Sequence, residues 1–545
     1  MTFITSKLKT PQNLLNHILE QPQLPAIIQR LDASMLTKLI HHIGLEDSAE
    51  IVSMTTANQL KSVFDEDLWH SEAPGKNEIF NAERFGLWLE ILLESGPAFA
   101  AEKLTEMDED LIILGLCRLV RVVNFNNLSH DINSDQSWNR NDMLDEILDC
   151  TLSQEFDAYL VVARSQSRWE AIRTVLTELN ELDHTRLKRL LMSCCKISWE
   201  SMENNSEYYH VFTAEETLEA DLAAERDGRR GRKGFVSSTD GAYFLASARR
   251  ITLKKIVAEK GLEPDARVYL KRVSTETEPD ANGESTAEKL LETSSPHVIH
   301  FIETLQAAEI LPSARQAKLG WQAEEEPHHL PLAGAMRLVG QMDPELYSQR
   351  LIELTYLSNI LISGCSFKGR SFWPGEAAEA ALSVCNLGSE YLIKAGYGQK
   401  EKQKPDLLTI LLKKYHLVKL FKVGWKILND KVTVYTARTL LVYLQYLKDE
   451  QTALRQKIAM AHMAHRLKTF ISSGHPWKFS DHMDSLLTIL DGQTIMVLTD
   501  LLQEYPTISE VICKQHCPSS HIWRMAHIRS IQRFMDKVLK VNGRN

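Results

Sequence analysis

Apolar residues recur along most of this chain at the three- and four-residue spacing of an amphipathic helix. The spacing is clear at residues 36–43, 407–415 and 440–447. A helix with this pattern buries one face against its neighbours and keeps the opposite face polar. Alternating patterns are scarce, and one short strand is predicted at residues 267–273. The fold class is therefore predicted to be all-α.

Four of the predicted helices begin with the same short phrase, a Leu or Met followed by Asp. The four aspartates are Asp32, Asp108, Asp183 and Asp343. Asp is a favoured N-cap because its carboxylate accepts hydrogen bonds from the free N–H groups of the first turn. Thr56 and Gln59 have the spacing of a capping box. The starts recur about every 75–80 residues, with one copy missing near residue 262, which predicts an array of short helix pairs that could curve like a solenoid.

Polar, turn-rich stretches divide the chain into four predicted blocks. The clearest, at residues 124–141, 274–296 and 396–405, are rich in Asn, Ser, Asp and charged residues. We expect them to be loops between helical units. The predicted blocks are 1–125, an N-terminal unit of short helices; 140–270, a middle unit with a basic loop; 297–400, a third helical unit; and 405–545, a C-terminal helical unit.

The bulk composition is that of a protein with a packed core and no general attraction to polyanions. The 545 residues are 44% hydrophobic, and the net charge is −10. No stretch reaches the roughly 18 apolar residues that span a bilayer, and the first residues lack the apolar core of a secretory signal. The eight cysteines are too dispersed for a disulfide framework. We expect a cytoplasmic protein without membrane insertion.

The strongest local charge is a run at residues 226–234, where basic residues alternate with glycines. The basic residues are Arg226, Arg229, Arg230, Arg232 and Lys233. A glycine-rich basic loop could wrap a phosphate or an acidic partner. The glycine spacing is not that of a phosphate-binding loop, and the acidic segment at residues 215–225 could neutralise the charge. A solvated basic loop is the favoured interpretation, and binding of an anion or nucleic acid is the alternative.

Histidines and cysteines in the C-terminal block suggest a second alternative, a metal site. The candidate ligands are His462, His465, Cys513, Cys517 and His521. The last three are spaced i, i+4, i+8 and would share a face of one helix, and thiolates and imidazoles bind zinc. No His-Glu-x-x-His motif accompanies them, and Pro518 interrupts a continuous helix. Cysteines buried in the core are the plainer interpretation.

Cys365 is the candidate for a reactive thiol. It lies in a segment bounded by Gly364 and Gly369, close to Lys368 and Arg370, whose charges would lower the pKa of the thiol. No partner histidine is evident from the sequence. A thiol enzyme therefore joins the metal-dependent enzyme as an alternative function of the C-terminal half.

Two resemblances extend this picture. Residues 31–40 (LDASMLTKLI) and 45–52 (LEDSAEIV) are similar to short-helix superhelical units of the cytosolic domain of magnesium transporters and of flagellar motor switch proteins. This resemblance covers about residues 20–65 and implies a helical array that packs against partners or senses state, without a transport function. Residues 234–245 and 353–370 resemble segments of a bacterial family of unknown function, which implies neither an activity nor catalytic residues.

The sequence contains no serine elbow, Walker motif, dinucleotide fingerprint or kinase signature. It therefore favours a cytosolic helical scaffold or regulatory protein that acts by binding another protein, with no cofactor and no catalytic residue assigned. The metal or thiol enzyme and the anion-binding basic loop remain open as alternatives.

Overall fold

The structure is a computed structural model, and its helices confirm the all-α prediction. It describes residues 11–21, 23–73, 75–124, 152–203, 213–259, 261–276, 301, 304–305, 330–396, 407–449, 454–473, 490–512 and 520–539. The chain divides into two compact units, a coarser division than the four predicted blocks. Unit 1 comprises Met1–His70, Glu78–Arg226 and Pro279–Gln322; unit 2 comprises Ser71–Asn77, Asp227–Glu278 and Ala323–Asn545. Across the described ranges, no helix has the length and apolar character needed to cross a membrane.

Unit 1 consists mainly of short helices that follow one another after tight turns. Each buries its apolar face in a core shared by the unit. Gly44 ends one helix with a φ of 103°, a conformation that glycine adopts without steric cost. The elements are α1 (Pro11–Leu19), α2 (Leu24–Arg30), α3 (Ala33–Ile43), α4 (Ala49–Ser53), α5 (Ala57–Asp67), β1 (Trp69–His70), β2 (Ile79–Phe80), α6 (Ala82–Glu94), α7 (Pro97–Glu106), α8 (Glu109–Leu119), β3 (Val120–Asn124), β4 (Ser153–Phe156), β5 (Tyr159–Ala163), α9 (Trp169–Leu182), α10 (His184–Glu203) and α11 (Ala214–Arg232), whose last residues are assigned to unit 2.

A small antiparallel sheet in unit 1 was not predicted from the sequence. Its strands are arranged in the order β3-β5-β4, with Val122 opposite Val161 in the β3–β5 pair. Strand β3 begins directly after Leu119, the last residue of α8, with no turn residue between them. Its alternation is therefore hidden by the helical pattern that precedes it.

The predicted helix starts are confirmed. The side chain of each of the four aspartates accepts a hydrogen bond from a backbone N–H in the first turn that follows, with N···O distances of 2.9–3.1 Å. Thr56 and Gln59 form the predicted capping box at the start of α5. The Gln59 amide also donates to the carbonyl oxygens of Ile28 and Leu31, at 2.7 and 2.8 Å. The box therefore ties the start of α5 to the end of α2.

Asp67, the last residue of α5, is a buried carboxylate that joins three helices of unit 1. It accepts hydrogen bonds from the Arg84 guanidinium at 2.7 and 3.0 Å and from the Trp88 indole at 2.6 Å, and its Oδ1 lies 2.9 Å from the His41 ring nitrogen. Burial alone would raise the pKa of Asp67. The bonds from His41, Arg84 and Trp88, with the charge of Arg84, outweigh burial and hold this pKa well below its usual range.

Unit 2 is built from longer helices around a core of its own. Residues 267–273, predicted as a strand, are helical, because Ala266 and Tyr269 share a buried face at helical spacing. The elements are α12 (Ser238–Arg250), α13 (Leu253–Ala258), α14 (Pro264–Glu276), α15 (Pro331–Met342), α16 (Pro344–Gly364), β6 (Ser366–Phe367), β7 (Arg370–Ser371), α17 (Pro374–Lys394), α18 (Leu407–Lys414), α19 (Leu417–Leu428), a π-helical turn (Asn429–Thr433), α20 (Val434–Asp449), α21 (Leu454–Ser473), α22 (Gly492–Leu502) and α23 (Met525–Val538).

Two glycines let α17 and α19 cross in close contact. A Cβ atom on Gly388 would overlap the Leu420 carbonyl oxygen, and a Cβ on Gly424 would overlap the Val384 carbonyl oxygen. Each helix therefore presents a position without a side chain to the backbone of the other. This crossing anchors α19 at the centre of unit 2.

A buried ion pair fixes the turn between α18 and α19. Arg350 donates to the Leu412 carbonyl oxygen near the end of α18 at 2.9 and 3.0 Å. Glu353 pairs with Arg350 at 2.6 Å and accepts the Leu417 N–H, at the start of α19, at 2.5 Å. The same carboxylate lies 2.6 Å from Nδ1 of His416. One ion pair therefore supplies partners to the free ends of two helices.

Candidate ligand-binding groove

The basic run at residues 226–234, predicted as a loop, is helical over most of its length, so the loop prediction is wrong. It forms the last turns of α11, whose first turn is acidic and whose last turn is basic, the order that suits a helix dipole. Arg226 is only 2% exposed. Its guanidinium pairs with Glu78, donates to the Asp65 carbonyl oxygen and lies 5.2 Å from the Trp69 ring centroid. Arg226 is thus engaged inside unit 1.

The four other basic residues of the run differ in their surroundings. Arg229 and Arg230 are half-buried, and the Arg230 guanidinium lies 4.9 Å from the Phe235 ring centroid. Arg232 and Lys233 are exposed. Successive side chains of a helix point about 100° apart, so a helix spreads cations that a loop could gather. Binding of an anion by these residues stays a prediction.

The predicted metal ligands are dispersed where the structure describes them. His462 and His465 are exposed on α21, whereas Cys513 and Cys517 lie outside the described residues. His521 is buried, with its ring centroid 5.5 Å from that of Tyr505. Burial lowers the pKa of His521 to about 4, so its imidazole is neutral at pH 7. No group of three or more His, Cys, Asp or Glu side chains suited to a metal ion occurs among the described residues.

The thiol of Cys365 is buried directly after α16. Burial raises its pKa well above the usual range, and the charge of Glu504 raises it further, with an opposing contribution from Arg249. Since the thiolate is the nucleophilic form of cysteine, this environment disfavours reactivity. The cations that flank Cys365 in the sequence do not reverse this effect.

One concave site among the described residues is a groove in unit 2. It is shallow and partly open to solvent, and its enclosed part has room for about one water molecule. Its apolar walls come from four separate segments. They are Trp425 and Leu428 of α19, Phe470 of α21, Leu502 of α22, and Pro506.

The π-helical turn forms one edge of this groove. It lies between α19 and α20 within a continuous helical run of residues 417–449. Asn429 and Thr433, its first and last residues, both line the groove. Single π-helical turns widen the helix by one residue and occur often at functional sites. Here the turn places two polar side chains beside apolar walls.

The groove carries opposite charges from two segments. Arg249, near the end of α12, and Glu504, after α22, both line it. The Arg249 guanidinium lies 5.2 Å from the Trp425 ring centroid, and Glu504 accepts the Ser366 N–H at 2.6 Å. Lys426, which lies beside these groups, donates to the Arg249 carbonyl oxygen and to Asp430, at 2.8 and 2.9 Å. Lys426 is therefore already satisfied by the protein.

The Arg249 guanidinium, by contrast, keeps unused donors. Across the ranges that the structure describes, it donates no hydrogen bond and belongs to no ion pair, apart from its contact with the Trp425 face. The side-chain oxygens of Asn429 and Thr433 likewise accept no hydrogen bond from a described residue. These three side chains and Gln503, which also lines the groove, are polar groups that a ligand could engage.

Sequence reasoning did not find the groove. Arg249 and Glu504 are 255 positions apart, and neither lies in a recognisable motif. The only local signal is the polar pair Asn429-Asp430, which interrupts an otherwise apolar helical pattern. Such an interruption more often marks a helix end than a π-helical turn.

Comparison with known proteins gives a family match over part of the chain and no activity. The model of a family of unknown function, DUF6178, matches residues 8–210, which lie outside the segments that line the groove. No curated protein and no solved structure matches the chain. The match agrees with an uncharacterised family, as the sequence suggested.

Proposed function

We propose that the protein is a helical scaffold or regulatory protein that binds an acidic surface of another protein. The observation that carries the proposal is a set of exposed apolar side chains on α20 and α21. Val442, Tyr446 and Ile458 are 47%, 57% and 63% exposed. Val442 and Tyr446 are one turn apart and share a face of α20. Large apolar side chains exposed together are typical of interaction surfaces.

The position of Ile458 supports a single surface. Helices α20 and α21 pack against each other, and only four residues separate them in the chain. Helices joined so closely are normally antiparallel neighbours. Tyr446 lies three residues before the end of α20, and Ile458 lies four residues after the start of α21. The packing of α20 against α21 therefore favours a position for the three side chains at the same end of this helix pair.

The charge of this region supports an acidic partner. Helix α21 contains four Lys and Arg residues and neither Asp nor Glu. From residue 405 to residue 545 there are 20 Lys and Arg against 11 Asp and Glu, in a chain whose net charge is −10. A basic rim around apolar contacts steers and orients an acidic partner. The superhelical resemblance of the first helices also agrees with partner binding.

A cytoplasmic location is part of the proposal. The five cysteines described as free thiols are all buried, and unpaired thiols are usual in a reducing compartment. The alternative of a metal-dependent or thiol enzyme receives less support, given the raised pKa of Cys365. An enzymatic role is not part of the proposal.

The test replaces Val442, Tyr446 and Ile458 together by Ser. A matched control replaces Leu338 and Met342 by Ser, because these residues form an exposed i, i+4 apolar pair on α15 of the same unit. Both variants and the parent chain are used to isolate complexes from the source cells after nuclease treatment, at low and high salt. We expect a stoichiometric complex with an acidic protein that the triple variant loses, the control retains and salt weakens.

Two outcomes would overturn this assignment. A complex that survives the triple variant unchanged would exclude the surface on α20 and α21. A complex that disappears on nuclease treatment would replace the protein partner with a nucleic acid.

A further inference from the structure

We infer that a basic patch in unit 2 binds a single-stranded nucleic acid. The patch is formed by the C-terminal end of α11, the residues that follow it, and one side of α14. Its cations would contact the phosphates, and the ring of Phe235 would stack on a base. The inference is independent of the protein partner proposed above, because the surface on α20 and α21 shares no residue with the patch. The cations of the patch are Arg229, Arg230, Arg232, Lys233, Arg267, Lys271 and Arg272.

The end of α11 is held in one conformation beside α14. Gly234 has a φ of 85°, and its N–H donates to the Gly231 carbonyl oxygen at 3.1 Å. The Phe235 N–H donates to the Arg230 carbonyl oxygen, also at 3.1 Å. These two hydrogen bonds form a Schellman motif, which ends a helix at a defined residue. The Gly234 carbonyl oxygen accepts the Tyr269 hydroxyl at 2.8 Å, so the end of α11 is tied to α14.

Helix α14 brings further cations to this end. Nη1 of Arg272 lies so close to Gly231 that a Cβ atom on this glycine would be 2.7 Å from it. Val268, Lys271 and Arg272 have the i, i+3, i+4 spacing of one helix face, and all three are exposed. The basic run alone spreads its cations around a helix, but this face of α14 places additional cations beside it.

The two segments of the patch contain no acidic residue. Residues 228–239 and 266–275 contain seven Lys and Arg and neither Asp nor Glu, in a chain whose net charge is −10. A helix C-terminus carries about half a negative charge, which a single cation offsets. The carboxylates that flank the segments in the sequence are four, so a positive excess remains when they are counted. They are Asp227, Asp240, Asp265 and Glu276.

The class of partner is assigned from the arginines and from one exposed ring. Five of the seven cations are arginine, whose guanidinium matches two oxygens of a phosphate. Phe235 is 44% exposed, and the Arg230 guanidinium lies 4.9 Å from its ring centroid. Proteins bind single strands by combining cations along the phosphate backbone with aromatic side chains on which bases stack. An acidic protein surface offers no base, and a duplex keeps the faces of its bases stacked inside.

The test measures binding of a fluorescent single strand of about 12 nucleotides to the full chain by fluorescence anisotropy. Polyuridine and polythymidine strands represent RNA and DNA, and a duplex of the same length is the comparison. Poly-glutamate and phosphatidylserine vesicles are competitors that represent an acidic protein and an anionic membrane. Titrations at about 50 and 200 mM salt measure the salt dependence.

Two double variants remove cations from the two sides of the patch. Arg232→Gln with Lys233→Gln changes the end of α11, and Lys271→Gln with Arg272→Gln changes α14. All four residues are exposed. Because the variants lie on different helices, the second still tests the inference if the first fails to fold. Thermal unfolding curves identify that case.

The matched control is Lys413→Gln with Lys414→Gln. These exposed residues form a basic last turn of α18 in the same unit, so the control also removes two cations from a helix C-terminus. A further variant, Phe235→Leu, removes the ring and keeps an apolar side chain.

We expect the strands to bind the parent chain and the control variant with the same affinity. If four cations contact phosphates, binding should weaken by about fiftyfold between the two salt concentrations. Each double variant should bind about tenfold or more weakly at low salt, with about half the salt slope of the parent chain. Phe235→Leu should bind about fivefold or more weakly with the slope unchanged, because stacking does not release counterions.

Several results would overturn the inference. They include the absence of strand binding by the parent chain, an affinity that neither double variant lowers, and an unchanged affinity in Phe235→Leu. Binding of the duplex as tightly as the single strand would also contradict it. Displacement of the strand by poly-glutamate or by the vesicles at a lower concentration than by unlabelled strand would replace the nucleic acid with an acidic protein or a membrane.

Discussion

Unit 1 and unit 2 each hold a buried carboxylate that joins several elements, and they satisfy it differently. Asp67 in unit 1 is bonded by the side chains of Arg84, Trp88 and His41. Glu353 in unit 2 pairs with Arg350 and accepts the backbone N–H of Leu417. The first arrangement joins the faces of helices, and the second completes their ends. A helix end that loses its partner keeps an unpaired backbone group, which side-chain rearrangement cannot repair.

Buried side-chain nitrogens without a hydrogen-bond partner among the described residues occur in both units, for example His42 Nε2 in unit 1. Nδ1 of His521 and Nδ1 of His527, both in unit 2, have no hydrogen-bond partner in the described residues. Burial, together with nearby Lys368 for His521 and Arg524 for His527, lowers the pKa of each to about 4. The two histidines therefore make unit 2 sensitive to acid above pH 4, whereas the lowered pKa of Asp67 makes unit 1 sensitive only at lower pH.

The largest expected effect is a difference between the units on acidification. Between pH 6.5 and about 4, the unfolded chain protonates His521 and His527 while folded unit 2 does not, so its stability falls as the pH falls. The loss is roughly 5 kcal/mol for the pair. Asp67, whose folded pKa is lowered, stabilises unit 1 above pH 3.8 and releases that stability only below it.

Hydrogen exchange of peptides from each unit, corrected for the intrinsic effect of pH, measures this difference. We expect unit 2 peptides to lose protection between pH 6.5 and 4 while unit 1 peptides retain it. His521→Phe together with His527→Phe should remove the pH dependence. Parallel loss in both units over this range would contradict the assignment.

Truncation of Glu353 should have the next largest effect. Glu353→Ala leaves Arg350 buried without its carboxylate and the Leu417 N–H without an acceptor. We expect a loss of about 4 kcal/mol in the free energy of unfolding of unit 2. Urea denaturation measures it, with Glu345→Ala, an exposed position in the first turn of the same helix, as the control. A loss below about 1 kcal/mol would show that the turn between α18 and α19 does not depend on this pair.

Truncation of Asp67 should lower the free energy of unfolding of unit 1 by less than truncation of Glu353 lowers that of unit 2. Asp67→Ala leaves the Arg84 guanidinium and the Trp88 indole without an acceptor, but Arg84 is about one-quarter exposed and can reach water. We expect a loss of about 3 kcal/mol. Exchange of unit 1 peptides measures it, and Asp65→Ala, two residues earlier on α5, is the comparison variant. A loss equal to that of Glu353→Ala would remove the distinction between the two kinds of bond.

The smallest effect compares one helix cap in each unit. Asp183→Ala in unit 1 and Asp343→Ala in unit 2 each remove a single bond to a backbone N–H, at 2.9 and 3.0 Å. We expect about 1 kcal/mol for each. Equal values, measured by exchange in the respective unit, would show that local capping does not depend on the surrounding unit.

The features that the sequence predicted correctly are those that depend on neighbours within one turn. The caps at Asp32 and Asp343 and the capping box at Thr56 belong to this class. The contacts of Arg226 could not be predicted in this way, because its partners Glu78 and Asp65 are about 150 residues away. The glycines of the basic run predict a loop, whereas the acidic-to-basic order of residues 214–232 is that of a helix.

The groove could not be predicted from local sequence patterns, for the same reason. Its walls come from α12, α19, α21 and the residues after α22, and they meet only through the tertiary packing of unit 2. Strand β3 escaped prediction for a related reason, because its alternating residues follow α8 directly, with no turn residue between them. In both cases the deciding contacts lie far apart in the chain.

The π-helical turn has a consequence for the direction in which the long helical run faces. One additional residue in a turn rotates everything that follows by about 100° about the helix axis. Before the turn, α19 faces α12, α16 and α17; after it, α20 faces α21, α22 and α23. Deletion of Lys431 would restore regular phase and turn Val442 and Tyr446 away from their present direction. The one additional residue therefore determines which neighbouring helices α19 and α20 contact.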